Sequence, residues 1–484
     1  MRFIGNVEQD TQIRAVASGT LSNGDTVVVN SDGTVSAVAG ASVSQAVGSA
    51  EVFTSTNNDW DMGIAYDANA QKVVIAYVDN NNLNYGTAVV GTISGTSISF
   101  GTPVVFEAAS TFYPSVTYDA NAQKVVIGYR DQGNSNKGTA IVGTVSGTSI
   151  SFGSATVFET GATRFIFSAY DANAQKVVFS YEDQGNSNYG TAVVGTVSGT
   201  SISFGTPVVY ESAITAFPSV VYDTSNQKVV MAYRDGGNSY WGTAIVGTVS
   251  GTSISFGSPV IFESGQADWI SSAYDTNNQK IVIGYSDAGN VSRGQAVVGT
   301  VSGSSISFGT PVVFGGDYTS WIAVSYDENA QKTVVSYPDY YGGQYGVLKV
   351  GTVSGTSISF DTAVTFEAAQ TKSIISTYDS VSNKIVIAYR DGANSNYGTA
   401  AVFQNNSTST NITAENFIGF ADSGYLSGQN VGIDSTGSVN RSQSGLTAGQ
   451  KYYVQNDGSL GTTADDPSVE AGVAISATEI LVKG

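Results

Sequence analysis

The sequence predicts an all-β fold: a seven-bladed β-propeller carrying small β modules at its ends. Three observations predict it. A Tyr-Asp pair recurs every 52 residues, at Tyr66, Tyr118, Tyr170, Tyr222, Tyr274, Tyr326 and Tyr378, and a second tyrosine follows each by 11 residues. Each repeat holds four strand-like runs separated by Gly, Asn and Asp turns. No stretch sustains a 3.6-residue apolar period, so helices are not expected. A lone four-stranded sheet would leave two apolar faces in water. Stacking seven such sheets radially buries both faces and leaves only short edges.

The elements follow in chain order. Residues 1–43 form an N-terminal β segment whose Val29-Asn30-Ser31-Asp32-Gly33-Thr34 run reads as a hairpin, with Asp-Gly at the tight turn. Residues 44–404 form the propeller. In its second copy, 113–118 is strand a, 119–123 a polar turn, 125–129 strand b and 131–136 a Gly/Asn loop. Residues 138–145 are strand c, 146–148 turn the chain, and 150–158 are strand d. The repeated Ser-Ile-Ser-Phe of strand d ends at Phe100, Phe152, Phe204, Phe256, Phe308 and Phe360, six times rather than seven. The missing outer strand is expected from residues 44–53, with Val47, Gly48 and Phe53 matching Phe100, Gly101 and Phe106. Residues 405–484 form a small C-terminal β domain whose Asn456-Asp457-Gly458-Ser459 repeats the first hairpin. The two termini are either halves of one domain or two related modules. The recurrent tyrosines, Tyr66 and Tyr77 with their equivalents, are expected in the core.

Composition narrows the chemistry. The 484 residues contain no Cys and no His, which excludes disulfides, Cys/His metal sites and every Ser–His or Cys–His nucleophile. A net charge of −19 repels phosphate backbones and anionic lipid, so neither nucleic acid nor membrane insertion is expected. No apolar run is long enough for a signal peptide or a bilayer span, so a soluble chain not exported by a cleaved signal is expected.

The tail motifs Lys451-Tyr452-Tyr453-Val454 and Val473-Ala474-Ile475-Ser476-Ala477-Thr478-Glu479-Ile480-Leu481-Val482 resemble small β modules at the ends of tailed-bacteriophage structural proteins, particularly marine ones. The run from Leu21 to Thr34 looks like the same class, and the propeller repeat is similar to repeat proteins of those phages. The resemblance implies a virion protein assembled in the host cytoplasm, a tail or capsid fibre, appendage or decoration exposed on the particle. It implies other virion proteins as partners through the terminal modules, a receptor role toward a host-surface glycan or protein, and homo-oligomers as an open option. A capsid or tail decoration protein without receptor role, or a secreted bacterial adhesin or scaffold, is the alternative.

Seven internal copies make variation between blades visible. The a–b and c–d turns, on one face, hardly vary. The d–a connections vary widely, and the face they share with the b–c loops holds all four tryptophans. That face is the expected recognition surface: Trp60, Tyr113, Arg164, Trp241, Asp268, Trp269, Trp321, Tyr340, Tyr341 and Lys372. Aromatic rings offer flat apolar area at low entropic cost, and the charges orient hydroxyls. An aromatic residue five positions before the Tyr-Asp tyrosine recurs at Tyr113, Phe165, Phe217, Trp269 and Trp321, and such regularity equally suits packing between inner strands. Arg130, Arg234 and Arg390 are expected to pair with the aspartate that follows each. The b–c loops beginning at Asp131, Asp183 and Asp391 carry oxygens at calcium-like spacing, although Asp followed by Gly or Asn is also ordinary turn chemistry. No cofactor is expected and no metal residue is assigned, with calcium at one or two of these loops left open. No carboxylate pair suited to glycoside hydrolysis stands out, so no catalytic residue and no enzyme activity are expected.

Overall fold

The computed structural model describes residues 12–57, 62–465 and 467–483, and no α-helix occurs among them. The chain divides into two compact units, one formed by Gln45–Asn405 and the other by Met1–Ser44 together with Asn406–Gly484.

The larger unit is the propeller. In blade 2, strand b (Lys124–Asp131) pairs on one side with strand a and on the other with strand c (Lys137–Ser146). Strand c then turns through Gly147, at φ 61°, into Ser149–Phe152. The a–b turn is held identically in every blade. Asp67, Asp119, Asp171, Asp223, Asp275, Asp327 and Asp379 each accept the N–H of the residue three positions on, at 2.8–3.1 Å.

The d–a connections expected as loops are mostly strand. Five of them run on as unbroken 16-residue strands: Val104–Asp119, Thr156–Asp171, Val208–Asp223, Val260–Asp275 and Val364–Asp379. The first half of each closes the outside of one blade, and the second half is strand a of the next. Val104 thus pairs with Ala88 of blade 1, and Tyr118 with Val125 of blade 2. A β-bulge between Phe112 and Ser115 bends the strand at the change of sheet. Alternation of apolar and polar residues cannot reveal such sharing, because each half keeps its own period of two.

The outer strand of blade 7 comes from the N-terminal side, as the residue matching expects. Val47 pairs with Phe403, and Glu51–Asn57 pairs with Tyr397–Gln404. Phe53 is buried against Tyr77 and Phe100 at ring distances of 5.5 and 5.6 Å, in a cluster that joins Tyr66 and Ile75 of blade 1 to Val386 and Val402 of blade 7. Gly48 and Gly101 are equivalent in space as well. A Cβ on either would strike a carbonyl of the next blade's c–d turn, Thr96 or Thr148.

The strand b tyrosines and Tyr66, Tyr274 and Tyr326 are core, as expected, while Tyr118, Tyr170, Tyr222 and Tyr378 are only partly buried against it. Those of strand b are fully enclosed, and five donate their hydroxyl to a glutamate at 2.8–3.1 Å: Tyr129 to Glu107, Tyr181 to Glu159, Tyr233 to Glu211, Tyr285 to Glu263 and Tyr389 to Glu367. The Tyr-Asp tyrosines reach the preceding blade, where Tyr118, Tyr170, Tyr222, Tyr326 and Tyr378 accept a backbone N–H of its a–b turn.

The smaller unit interleaves both termini. One five-stranded sheet runs Gln12–Val16, Asn430–Asp434, Phe417–Ala421, Thr26–Val29, Val35–Ala37, so two strands from the C-terminal end lie between strands from the N-terminal end. A second sheet is built from Val439–Asn440, Lys451–Val454, Leu460–Gly461, Val469–Ala474 and Ile480–Val482. Both Asp-Gly hairpins form with one geometry: Gly33 and Gly458 sit at φ 81° and 86°. Each donates its N–H to the residue three back, Asn30 and Gln455, at 2.9 Å. Val28, Phe417, Phe420, Tyr452, Val454 and Ile480 share a core.

Candidate functional site

The bulges in strand a create the site. At each bulge one residue takes a left-handed backbone and its side chain turns to the propeller axis. In blades 2 to 5 that residue is Tyr113, Phe165, Phe217 or Trp269, and Trp321 takes the same backbone just ahead of strand a of blade 6, all at φ 49–53°. Placing a bulky residue there costs roughly 1–2 kcal/mol, and bulges commonly re-aim a side chain beside a functional site. The five rings touch in sequence, with centroids 5.2, 5.2, 5.0 and 4.0 Å apart from Tyr113 through to Trp321. They form a crescent over five consecutive blades. Blade 7 carries Ser373 at the same φ, which ends it. The crescent lines a central cavity of about 690 Å³ whose deeper wall includes Ser115, Ser168, Ser219, Ser271 and Ser376. Serine pairs across neighbouring inner strands, such as Ser115 with Ser168 at 2.8 Å and Ser219 with Ser272 at 2.7 Å, satisfy that wall. Packing and exposure therefore coexist: each ring touches its neighbour and stays half-buried.

A charged network backs the crescent in blades 2 to 5. Glu182 is buried at the strand position that carries Arg130 and Arg234 in its neighbours. Burial pushes its carboxyl up, against the pull of Arg164, Arg234 and Arg130. Arg164 pairs with it at 3.8 Å, stacks over the Phe165 ring at 4.7 Å and hydrogen-bonds Tyr113. Arg234 stacks over Phe217 at 5.0 Å and pairs with Asp268 at 2.5 Å. Arg234 thus pairs with Asp268 rather than with the adjacent Asp235 that the sequence suggests. Asp235 accepts the N–H of Gly237, and Arg130 instead donates from Nε to Asn136 at 3.0 Å. The aspartates are spent on their own loops, since Asp131 and Asp183 accept the N–H of Asn134 and Asn186. Those oxygens serve turns, and among the described residues no three acidic groups gather as a metal site.

Of the residues expected to form the face, Tyr113, Trp269 and Trp321 are in the crescent, and Arg164 and Asp268 stand in the network behind it. Trp241 does not join them. It opens strand c opposite Asp235, where sibling blades carry Tyr85, Tyr189, Tyr345 and Tyr397, so its position is regular and lies outside the cavity lining. Trp60 lies outside the described residues. Tyr340, with Trp321 and Lys372, lines a second, smaller cavity beside blade 6, and Tyr341 touches Tyr340 with centroids 6.0 Å apart. Sequence reasoning missed Glu182 and Tyr318. The signals were present: Glu182 stands where Arg130, Arg234 and Arg390 stand in sibling blades, and Gly315-Gly316-Asp317-Tyr318 begins with glycine where five other blades carry glutamate.

No family model and no curated protein matches the chain. Solved structures do. The lectin BP39L from Burkholderia pseudomallei superposes with a TM-score of 0.54 at 9% identity, over 74% of this chain and 99% of its own. The β-propeller domain of Cps50 (Swd1) from Myceliophteria thermophila gives 0.46 at 8%, over 73% and 99%. A leech intramolecular trans-sialidase gives 0.41 at 9%, over 74% and 68%. At such identities the likeness shows the fold, a β-propeller. It also corrects the expectation that the chain is no enzyme: a trans-sialidase stands among the similar structures, so the exclusion is withdrawn.

Proposed function

We propose that the chain is a bacteriophage virion protein, displayed on the particle, whose propeller binds a host-surface saccharide at the mouth of its central cavity. The crescent of five contacting, half-exposed rings carries this reading. Repeating a strained aromatic conformation in five consecutive blades costs stability that packing alone recovers more cheaply with a relaxed strand. A curved wall of ring faces suits the apolar faces of sugars, while the serines and the Arg164 network present hydroxyl partners. A lectin among the structures of the same fold agrees with the reading. The virion role rests on the resemblance of the terminal modules and repeat, and the interleaved smaller unit is the part we assign to other virion proteins.

The test is a glycan array probed with the full chain and with a Trp269→Ala, Trp321→Ala double variant. Binding is expected to fall at least about tenfold in the variant while the melting transition stays cooperative. Array signal that persists in the folded variant would remove the crescent from the site.

A further inference from the structure

We propose that the smaller cavity, beside blade 6, is a subsite for a sugar residue bearing a carboxylate; this rests on the saccharide reading above. The cavity holds about 160 Å³, room for one sugar ring, and Trp321 lines both it and the central cavity, so one saccharide can occupy the two in succession. Its aromatic wall is Tyr318 and Tyr340, about half-exposed at 51% and 49%, with ring centroids 5.1 Å apart. Ser320 and Gln344 add hydroxyl and amide groups.

Lys372 supplies the charge. It lines the cavity and makes no ion pair among the described residues, whereas Arg164, Arg234 and Arg293 all have carboxylate partners. The equivalent position elsewhere holds Phe112 or Arg164, and Arg164 already faces Glu182 across the strand pair. An ammonium–carboxylate hydrogen bond is among the stronger kinds. The chain carries −19 overall, so an acidic ligand is repelled elsewhere and held by a local cation here.

The experiment is calorimetric titration of the full chain with hexuronate- and sialic-acid-containing oligosaccharides, each beside its neutral methyl ester, and with a poly-glutamate peptide. At least one acid is expected to bind about tenfold tighter than its ester, as a charge-assisted bond predicts. Lys372→Gln is expected to erase that difference, and Tyr340→Ala to weaken acid and ester alike. Three results overturn the subsite: esters bound as well as acids, an acid preference that survives Lys372→Gln, or poly-glutamate bound as tightly as the sugars. If esters bind and lose affinity in the Trp269→Ala, Trp321→Ala variant, the saccharide reading stands without the subsite. Absence of binding to every sugar sinks both.

Discussion

Blades 4 and 6 have the same length and the same Tyr-Asp frame, yet their cavity-facing ends are built differently. In blade 4 the chain runs unbroken through Val208–Asp223, Tyr233 donates to Glu211, and Arg234 stacks over Phe217. In blade 6 glycine replaces that glutamate at Gly315, and Tyr337 donates instead to the Phe314 carbonyl at 3.1 Å. Proline replaces the arginine at Pro338. Having no N–H to offer strand a, it ends the a–b ladder at Ala323 and Ser336, where blade 4 continues to Ala216–Arg234 and Thr215–Asp235. Residues 314–322 leave the sheet and expose Tyr318. Strand b, strand c and the Ser-Ile-Ser-Phe strand have the same lengths in both. Interblade packing thus tolerates wide change at the mouth, because the mouth contributes little to the buried layers.

The largest effect that would sharpen this contrast lies in the frame. Phe53→Ala, which empties the joint between blades 1 and 7, is expected to cost about 3–5 kcal/mol in denaturant unfolding. Tyr341→Ala at the mouth should stay within about 0.5 kcal/mol. Comparable costs for the two would break the distinction.

A smaller effect comes from the frame's carboxylates. Burial raises Glu107 and Glu211 above the ordinary 4.5, despite the hydrogen bonds of Tyr129 and Tyr233. The folded state therefore holds their protons more tightly than the unfolded chain. Their stabilising contribution is complete below pH 4.5 and is lost as pH rises through the raised values. Thermal melting of the native chain should gain on moving from pH 7 toward 5 relative to Glu107→Gln. Parallel pH profiles would contradict this.

The smallest expected change is at blade 6 itself. Gly315→Glu with Pro338→Arg restores the sibling residues and should alter stability by no more than about 1 kcal/mol. Hydrogen exchange in 314–322 should slow as the ladder re-forms. Unchanged exchange would show that proline and glycine are not what opens the loop.

Much of the propeller was legible in the sequence because packing between identical sheets demands identical residues. The 52-residue frame, the core tyrosines, the Asp-capped turns and the strand borrowed at Val47 all follow from that demand. The crescent was half legible. Recurrence marked its five positions, but left open whether they pack or face the cavity. Trp241 misled, since a rare residue type at a regular position looks irregular until its siblings are superposed.

What the amino-acid order determined by itself was therefore everything that repeats: blade number, strand count, turn chemistry and the residues between blades. Those features rest on local periodicity and on burial summed over many copies, and both are written in the chain. Tertiary structure decided three things that no period of two encodes. One strand serves two sheets, a left-handed backbone at φ near 50° aims five rings at the axis, and Glu182 gathers arginines from neighbouring blades. Each depends on where neighbouring blades lie around the axis, a distance set by the stacking of whole sheets.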